Sequence, residues 1–209
     1  MSTSGNYYQN TAGPASDLPV SPEIVPERTL SAAEWGMASF LVSEAAFFST
    51  LIVAYVTFRG RDLIGPTPSD TLTLPLVLAS SSLLLASSAT IHLATGALER
   101  GKTTLFKLWW LATILLGIGF LAGTAIEWHE LIYEHHLTIS RNLFGTTYYT
   151  LVGFHALHVT LGVVAMLIVL GLALRGEVNH EHGTSAHLVS WYWHFVDAVW
   201  IVVFMVVYL

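Results

Sequence analysis

Residues 191–200 read Trp-Tyr-Trp-His-Phe-Val-Asp-Ala-Val-Trp. They open the last apolar run of the chain, and 201–209 beyond them are apolar except for the Tyr208 hydroxyl. His194 and Asp197 stand three residues apart, a spacing that puts both on one face of a helix. Asp197 thus falls within a segment of membrane length, where a carboxylate costs on the order of 2.5–3.5 kcal/mol on insertion scales. Such a group persists only beside a partner or a water-filled cavity. The rest of the chain reads as the protein that supplies one.

Composition agrees with a membrane setting. Of 209 residues, 54% are hydrophobic and 11% charged, against about 25% charged in a soluble domain. The apolar residues come in long blocks, as membrane spans require. A formal charge of −6, with the eight Lys and Arg scattered, speaks against a nucleic-acid binder. The absence of cysteine removes disulfides, thiolate metal sites and cysteine nucleophiles, and leaves the redox compartment open.

Working back from 191–200, five apolar runs appear. The fifth covers about 187–208, the fourth 147–174, the third 105–127, and the second starts near Pro75 and runs to about 98. The first opens on Ser31-Ala-Ala-Glu34, a capping box, and runs to about 58. Each approaches or exceeds the ~20 residues that cross hydrocarbon. Three of them end on Arg-Gly, at 59–60, 100–101 and 175–176, a cation for the helix dipole followed by a residue suited to a left-handed cap. The expected fold is an all-α integral membrane protein, a bundle of five transmembrane helices over 31–209. Residues 1–30 form a polar, flexible tail without a secretory or transit signal. With the N-terminus inside, the inner segments hold Arg28, Arg100, Lys102, Lys107 and Arg175, and the outer ones Arg59, Arg61 and Arg141. That imbalance favours N-terminus inside and C-terminus outside.

Small residues, Ser and Ala in span 2 and Gly117, Gly119 and Gly123 in span 3, suit close helix packing. Glu44 lies deep in span 1. It is either hydrogen-bonded to a Ser of span 2 or a His of span 4, or it is a proton-exchanging or lipid-facing site. His155 and His158 share a face of span 4. Metal ligation is one reading, and bonding to Glu44, Asp197 or backbone carbonyls is the preferred one. His194 and Asp197 read as a hydrogen-bonded pair at a helix interface, with a proton relay as the alternative. Trp191, Tyr192 and Trp193 look like an interfacial aromatic belt. Glu127, His129, Glu130, Glu134, His135 and His136 read as a solvated helix end, and His180, His182 and His187 likewise, while His92 reads as a satisfied buried histidine. No phosphate loop or nucleophile elbow is present, and these histidines assemble no recognisable redox centre.

At these residues the chain resembles subunit III of the haem–copper terminal oxidases, in its five-helix bacterial form. The match rests on Trp35-Gly-Met with Ser43-Glu44-Ala-Ala-Phe-Phe48, and on Phe144-Gly-Thr-Thr-Tyr-Tyr with Gly153-Phe-His-Ala-Leu-His-Val159 and Gly162. It rests most specifically on 191–200, and it runs in order from about 33 onward. The resemblance implies a non-catalytic subunit of a proton-pumping oxidase in a bacterial plasma membrane. Such a subunit packs against subunits I and II, which hold the haem and copper, and itself binds phospholipid and no redox cofactor. It supports assembly, stability and proton uptake, and admits membership of a respiratory supercomplex. The family's carbodiimide-reactive carboxylate falls on Glu44. The resemblance matches the five spans to the last five helices of the family's seven-helix form, whose first pair would form one wall of the lipid cleft, and Arg175 remains a lipid-headgroup candidate. A quinol oxidase subunit III, a haem-binding cytochrome using His92, His155 or His158, and a small transporter using Glu44 and Asp197 are the alternatives. The transporter finds no inverted repeat in its favour.

Overall fold

A computed structural model describes residues 30–59, 74–133, 143–178 and 183–208. The expected tail at 1–29, Gly60, the loop residues Glu134, His135, His136 and Arg141, and His180 and His182 lie outside the described residues. Five α-helices fill the rest: α1 (Ala32–Phe58), α2 (Leu74–Glu99), α3 (Thr103–Tyr133), α4 (Leu143–Leu174) and α5 (Thr184–Tyr208). All five are long and apolar enough to cross a membrane.

The ends follow from local chemistry. At α1 the Ser31 hydroxyl accepts from the Glu34 N–H at 3.3 Å, and the Glu34 carboxylate accepts from the Ser31 N–H at 2.7 Å. This is the reciprocal box that the sequence predicts. Gly101 (φ 70°) and Gly176 (φ 82°) take the left-handed conformation. Around them Gly101 N–H reaches Leu98 O and Lys102 N–H reaches Ala97 O, while Gly176 N–H reaches Ala173 O and Glu177 N–H reaches Leu172 O. These are paired Schellman caps. Arg100 and Arg175 are themselves the cap residues, one place beyond the helical turn where a dipole-facing cation was expected. The third helix runs six residues past its predicted end at 127, to Tyr133, and the fourth begins at Leu143 rather than 147. Hydropathy stops where charges begin, whereas the hydrogen-bonded helix continues beyond the hydrocarbon.

Helices α2, α3, α4 and α5 pack in a closed ring in that order, α5 returning to α2, and α1 lies outside it against α4 and α5. Only Phe48 and Tyr55 of α1 are buried. The ring is closed by small residues, because lipid provides no hydrophobic drive for helices to associate and close approach must supply the contact. A Cβ on Gly123 would stand 2.6 Å from the Ser80 side chain, so α2 and α3 meet at van der Waals range there. A Cβ on Gly117 of α3 or on Gly162 of α4 would stand 2.8 Å from the ring of Trp193. That indole is fully buried, and its Nε1–H donates to Ser87 Oγ on α2 at 2.8 Å. One α5 side chain therefore ties together the other three helices of the ring.

Trp193 is thus a central wedge, which corrects the reading of 191–193 as an aromatic belt. Tyr192 is buried and donates to the His158 carbonyl at 3.0 Å, and of the three only Trp191 faces outward. Both buried rings have turned inward because glycines on α3 and α4 leave room for them.

Candidate functional site

Polar side chains inside the spans form three separate clusters, each bridging helices. The first joins α1 to α4. Glu44 Oε2 lies 3.0 Å from His158 Nε2, and His158 Nδ1 lies 2.6 Å from the Phe154 carbonyl. A neutral ring has one donor and one acceptor nitrogen. If Nδ1 carries the proton toward Phe154 O, Nε2 accepts from a Glu44 carboxyl. If the ring is protonated, it donates to both. Either state ties α1 to the bundle. Phe48 packs edge-on against His158 with ring centroids 4.9 Å apart, and Phe47 lies against the same ring at 6.3 Å.

His155, one turn from His158, is fully buried, and neither ring nitrogen has a hydrogen-bond partner among the described residues. Its ring stacks on Trp200 at 4.7 Å and meets Phe120 edge-on at 5.8 Å. The sequence expectation that both histidines are hydrogen-bonded thus describes His158 alone. His155 serves as an aromatic plate between α3, α4 and α5.

The second cluster joins α2 to α5. The Ser88 hydroxyl donates to Asp197 Oδ2 and lies 3.3 Å from His194 Nδ1. A hydroxyl that donates to a carboxylate keeps lone pairs for an Nδ1–H. His194 and Asp197 therefore meet through Ser88 rather than bonding directly. Asp197 is almost fully buried, and its Oδ1 has no partner among the described residues. The sequence offered Asp197 a partner in His194 or in the histidines of span 4. Its partner is on α2, the helix that α5 meets when it closes the ring.

The third cluster was not anticipated. Glu127, expected in a solvated helix end, is buried, and Tyr208 donates to both its oxygens at 3.0 and 3.2 Å. Tyr148 and Tyr208 hydroxyls lie 3.3 Å apart, which brings α4 into the same lock. Nearby, the Arg59 guanidinium donates to the Val206 carbonyl at 2.9 Å, fastening the end of α1 to the end of α5. The legible signal was Tyr208 itself, the lone hydroxyl in an otherwise apolar terminal run.

The remaining expected positions are simple to place. His92 is exposed on α2 and its ring makes no hydrogen bond among the described residues, which corrects its reading as a satisfied buried histidine. His187 is half-buried, with Nε2 3.9 Å from Glu99 Oε1 at one end of the ring. Arg175 is exposed in the turn after α4. Among the described residues, no three His, Asp or Glu side chains converge on a metal-sized point. The clusters pair helices and do not assemble a nucleophile, base and oxyanion donor around one reacting position.

Known proteins match most of the chain. The family model for cytochrome c oxidase subunit III matches residues 27–209. The cytochrome c oxidase subunit 3 of Corynebacterium diphtheriae is 36% identical over 176 residues, covering 83% of this chain and 85% of that protein. Those of Alkalihalophilus pseudofirmus and Bacillus sp. are each 32% identical over 174 residues, covering 83% of this chain and 84% of each relative.

Proposed function

This chain belongs to the cytochrome c oxidase subunit III family, a multi-pass membrane subunit of haem–copper oxidases, and from that premise we propose that it is a structural, non-catalytic subunit. In this reading it supports assembly and stability of the oxidase, holds phospholipid and sustains proton uptake by subunit I. Subunits I and II carry the haem and copper, and this chain binds neither. It resides in a bacterial plasma membrane with its N-terminus inside and C-terminus outside, the orientation that places more of its cations on the inner side. The name shared by its relatives supports cytochrome c over quinol as the donor of the complex.

The observation that carries this reading is how the intramembrane acids are used. Glu44, Asp197 and Glu127 each hydrogen-bond to a side chain of another helix. Ionisable groups in a membrane are otherwise functional candidates by default, and here each one fastens a helix pair. A haem-binding cytochrome is less well supported. His158 is engaged through both ring nitrogens, His155 is sealed between aromatic rings, and His92 is exposed on α2.

The test is a mild-detergent pulldown of this chain from its native membrane, with an absorption spectrum and identification of the co-purifying subunits. Larger subunits carrying haem and copper, with this chain colourless once stripped from them, are expected. A chain that purifies alone and shows a Soret band would overturn the reading.

A further inference from the structure

Most outward-facing hydroxyls within the described spans are bonded inside their own helix. On α1 the hydroxyls of Ser39, Ser43, Ser49, Thr50 and Thr57 each donate to a carbonyl of their own helix. So do Ser82 on α2 and Thr150 and Thr160 on α4. Lipid can lie against such groups at little cost, since their donors are already used. Glu44 and His158, partly exposed, satisfy each other.

Two imidazoles depart from this, and they flank Ser88. The His92 ring on α2 is exposed and the His194 ring on α5 half-buried; among the described residues the first makes no hydrogen bond and the second has a partner near Nδ1 alone. At 1.5 Å per residue, His92 lies roughly 10 Å and His194 roughly 15 Å from the helix ends that Glu99 and Thr184 mark. In a bilayer with about 30 Å of hydrocarbon centred on these helices that depth puts both rings among acyl chains, which offer no hydrogen bond. Behind them sit Ser88 and the Asp197 carboxylate.

The same seam continues as a groove of about 340 Å³ lined by Leu78, Ser81, Leu85, Trp200, Ile201 and Met205, among others. Leu78, Leu85 and His92 recur at seven-residue intervals on α2, and on α5 His194, Ile201 and Met205 follow at steps of seven and four, which keep one helix face. The apolar groove and the two histidines therefore form one strip along the α2–α5 junction.

We propose that this strip is the surface on which a transmembrane helix of a neighbouring oxidase subunit docks. That helix places apolar side chains in the groove and a hydrogen-bonding side chain level with His92 and His194. The inference rests on the reading of the chain as an oxidase subunit, and it adds which face makes the contact. A phospholipid in the groove would match its apolar half and leave the imidazoles unpaired, so a protein helix is the occupant that fits the whole strip.

The test uses the assembled complex purified through this chain. A photoreactive benzophenone residue replaces Leu85 (46% exposed), or Val42 on α1 (72% exposed) as a comparison position. Irradiation should join the Leu85 position to another oxidase subunit. A complex that retains its haem spectrum but yields only lipid adducts at Leu85 overturns the docking face alone. A wild-type chain that brings down no haem overturns both the docking face and the oxidase reading. Independently, the double variant His92→Leu with His194→Leu should reach the membrane at the normal level yet bring down several-fold less haem per chain. His92→Gln with His194→Asn should restore much of that loss. An unchanged haem-to-chain ratio in the leucine variant would also overturn the proposal.

Discussion

Replacing Gly162 with alanine tests the wedge on which the ring of four helices closes. The new Cβ would stand 2.8 Å from Trp193 Cε3 and Cζ3 and 3.2 Å from Tyr192 Cε1. The indole has nowhere to retreat. Its opposite edge is against Gly117, where a Cβ would also fall at 2.8 Å, and its Nε1–H is held by Ser87. Overpacking of this kind costs about 1–3 kcal/mol. Alanine is intrinsically better than glycine within a helix by roughly 0.5–1 kcal/mol, so the clash is read against a reference that keeps the helix gain and lacks the contact. Gly171, on the same helix with nothing within 4 Å of its would-be Cβ, provides it. Gly162→Ala should therefore be about 1–3 kcal/mol less stable than Gly171→Ala in reversible SDS unfolding from mixed micelles, followed by far-ultraviolet circular dichroism. Adding Trp193→Phe, which removes the ring edge that meets residue 162, should recover part of the difference as a coupling energy of about 0.5–3 kcal/mol. Equal stabilities for the two glycine variants would refute the wedge.

Three further outcomes follow from the polar clusters. Asp197→Ala should weaken the chain's retention in the oxidase more than it slows electron transfer per assembled complex, measured as haem per chain and as turnover per haem. Normal assembly with lost turnover would contradict this. His158→Ala removes the side-chain partner of Glu44 and should loosen α1, which packs mainly against α4 and α5. Limited proteolysis in detergent should cut the α1–α2 connection faster, and unchanged cleavage would count against the link. Tyr208→Phe deletes the bonds to Glu127 and should lower stability by roughly 0.6–2 kcal/mol, the range for hydrogen bonds between membrane helices, whereas a value indistinguishable from wild type would show Glu127 to be satisfied without it.

The spans were legible because length and hydropathy decide them, and the capping box and the glycines at 101 and 176 were legible because their chemistry is local. What escaped was the choice of neighbour. Ser88 is one of several serines on α2, and nothing in its sequence position marks it as the partner of Asp197. That assignment depends on α5 closing back onto α2, a matter of three-dimensional order. Trp193 was misread because tryptophans near a span's entry usually sit at the interface. The corrective signal was the pair of glycines on α3 and α4, whose missing side chains leave the volume an indole occupies. Glu127 was misread because it begins a charged run, yet it is the residue of that run that still lies within reach of Tyr208.

The position of α1 outside the ring sets a schedule for making the protein. Of the five spans it leaves the ribosome first, but both helices that hold it, α4 and α5, are made last. About 150 residues separate the end of α1 from the end of α5, roughly 8–30 s at cellular synthesis rates. Throughout that interval α1 must stay inserted without its final neighbours. The self-bonded hydroxyls along it suit that wait, whereas Glu44 lacks its histidine until α4 arrives. The newborn chain is therefore most exposed to quality-control proteases between the first span and the fourth, and anything that slows the arrival of α4 lengthens that window.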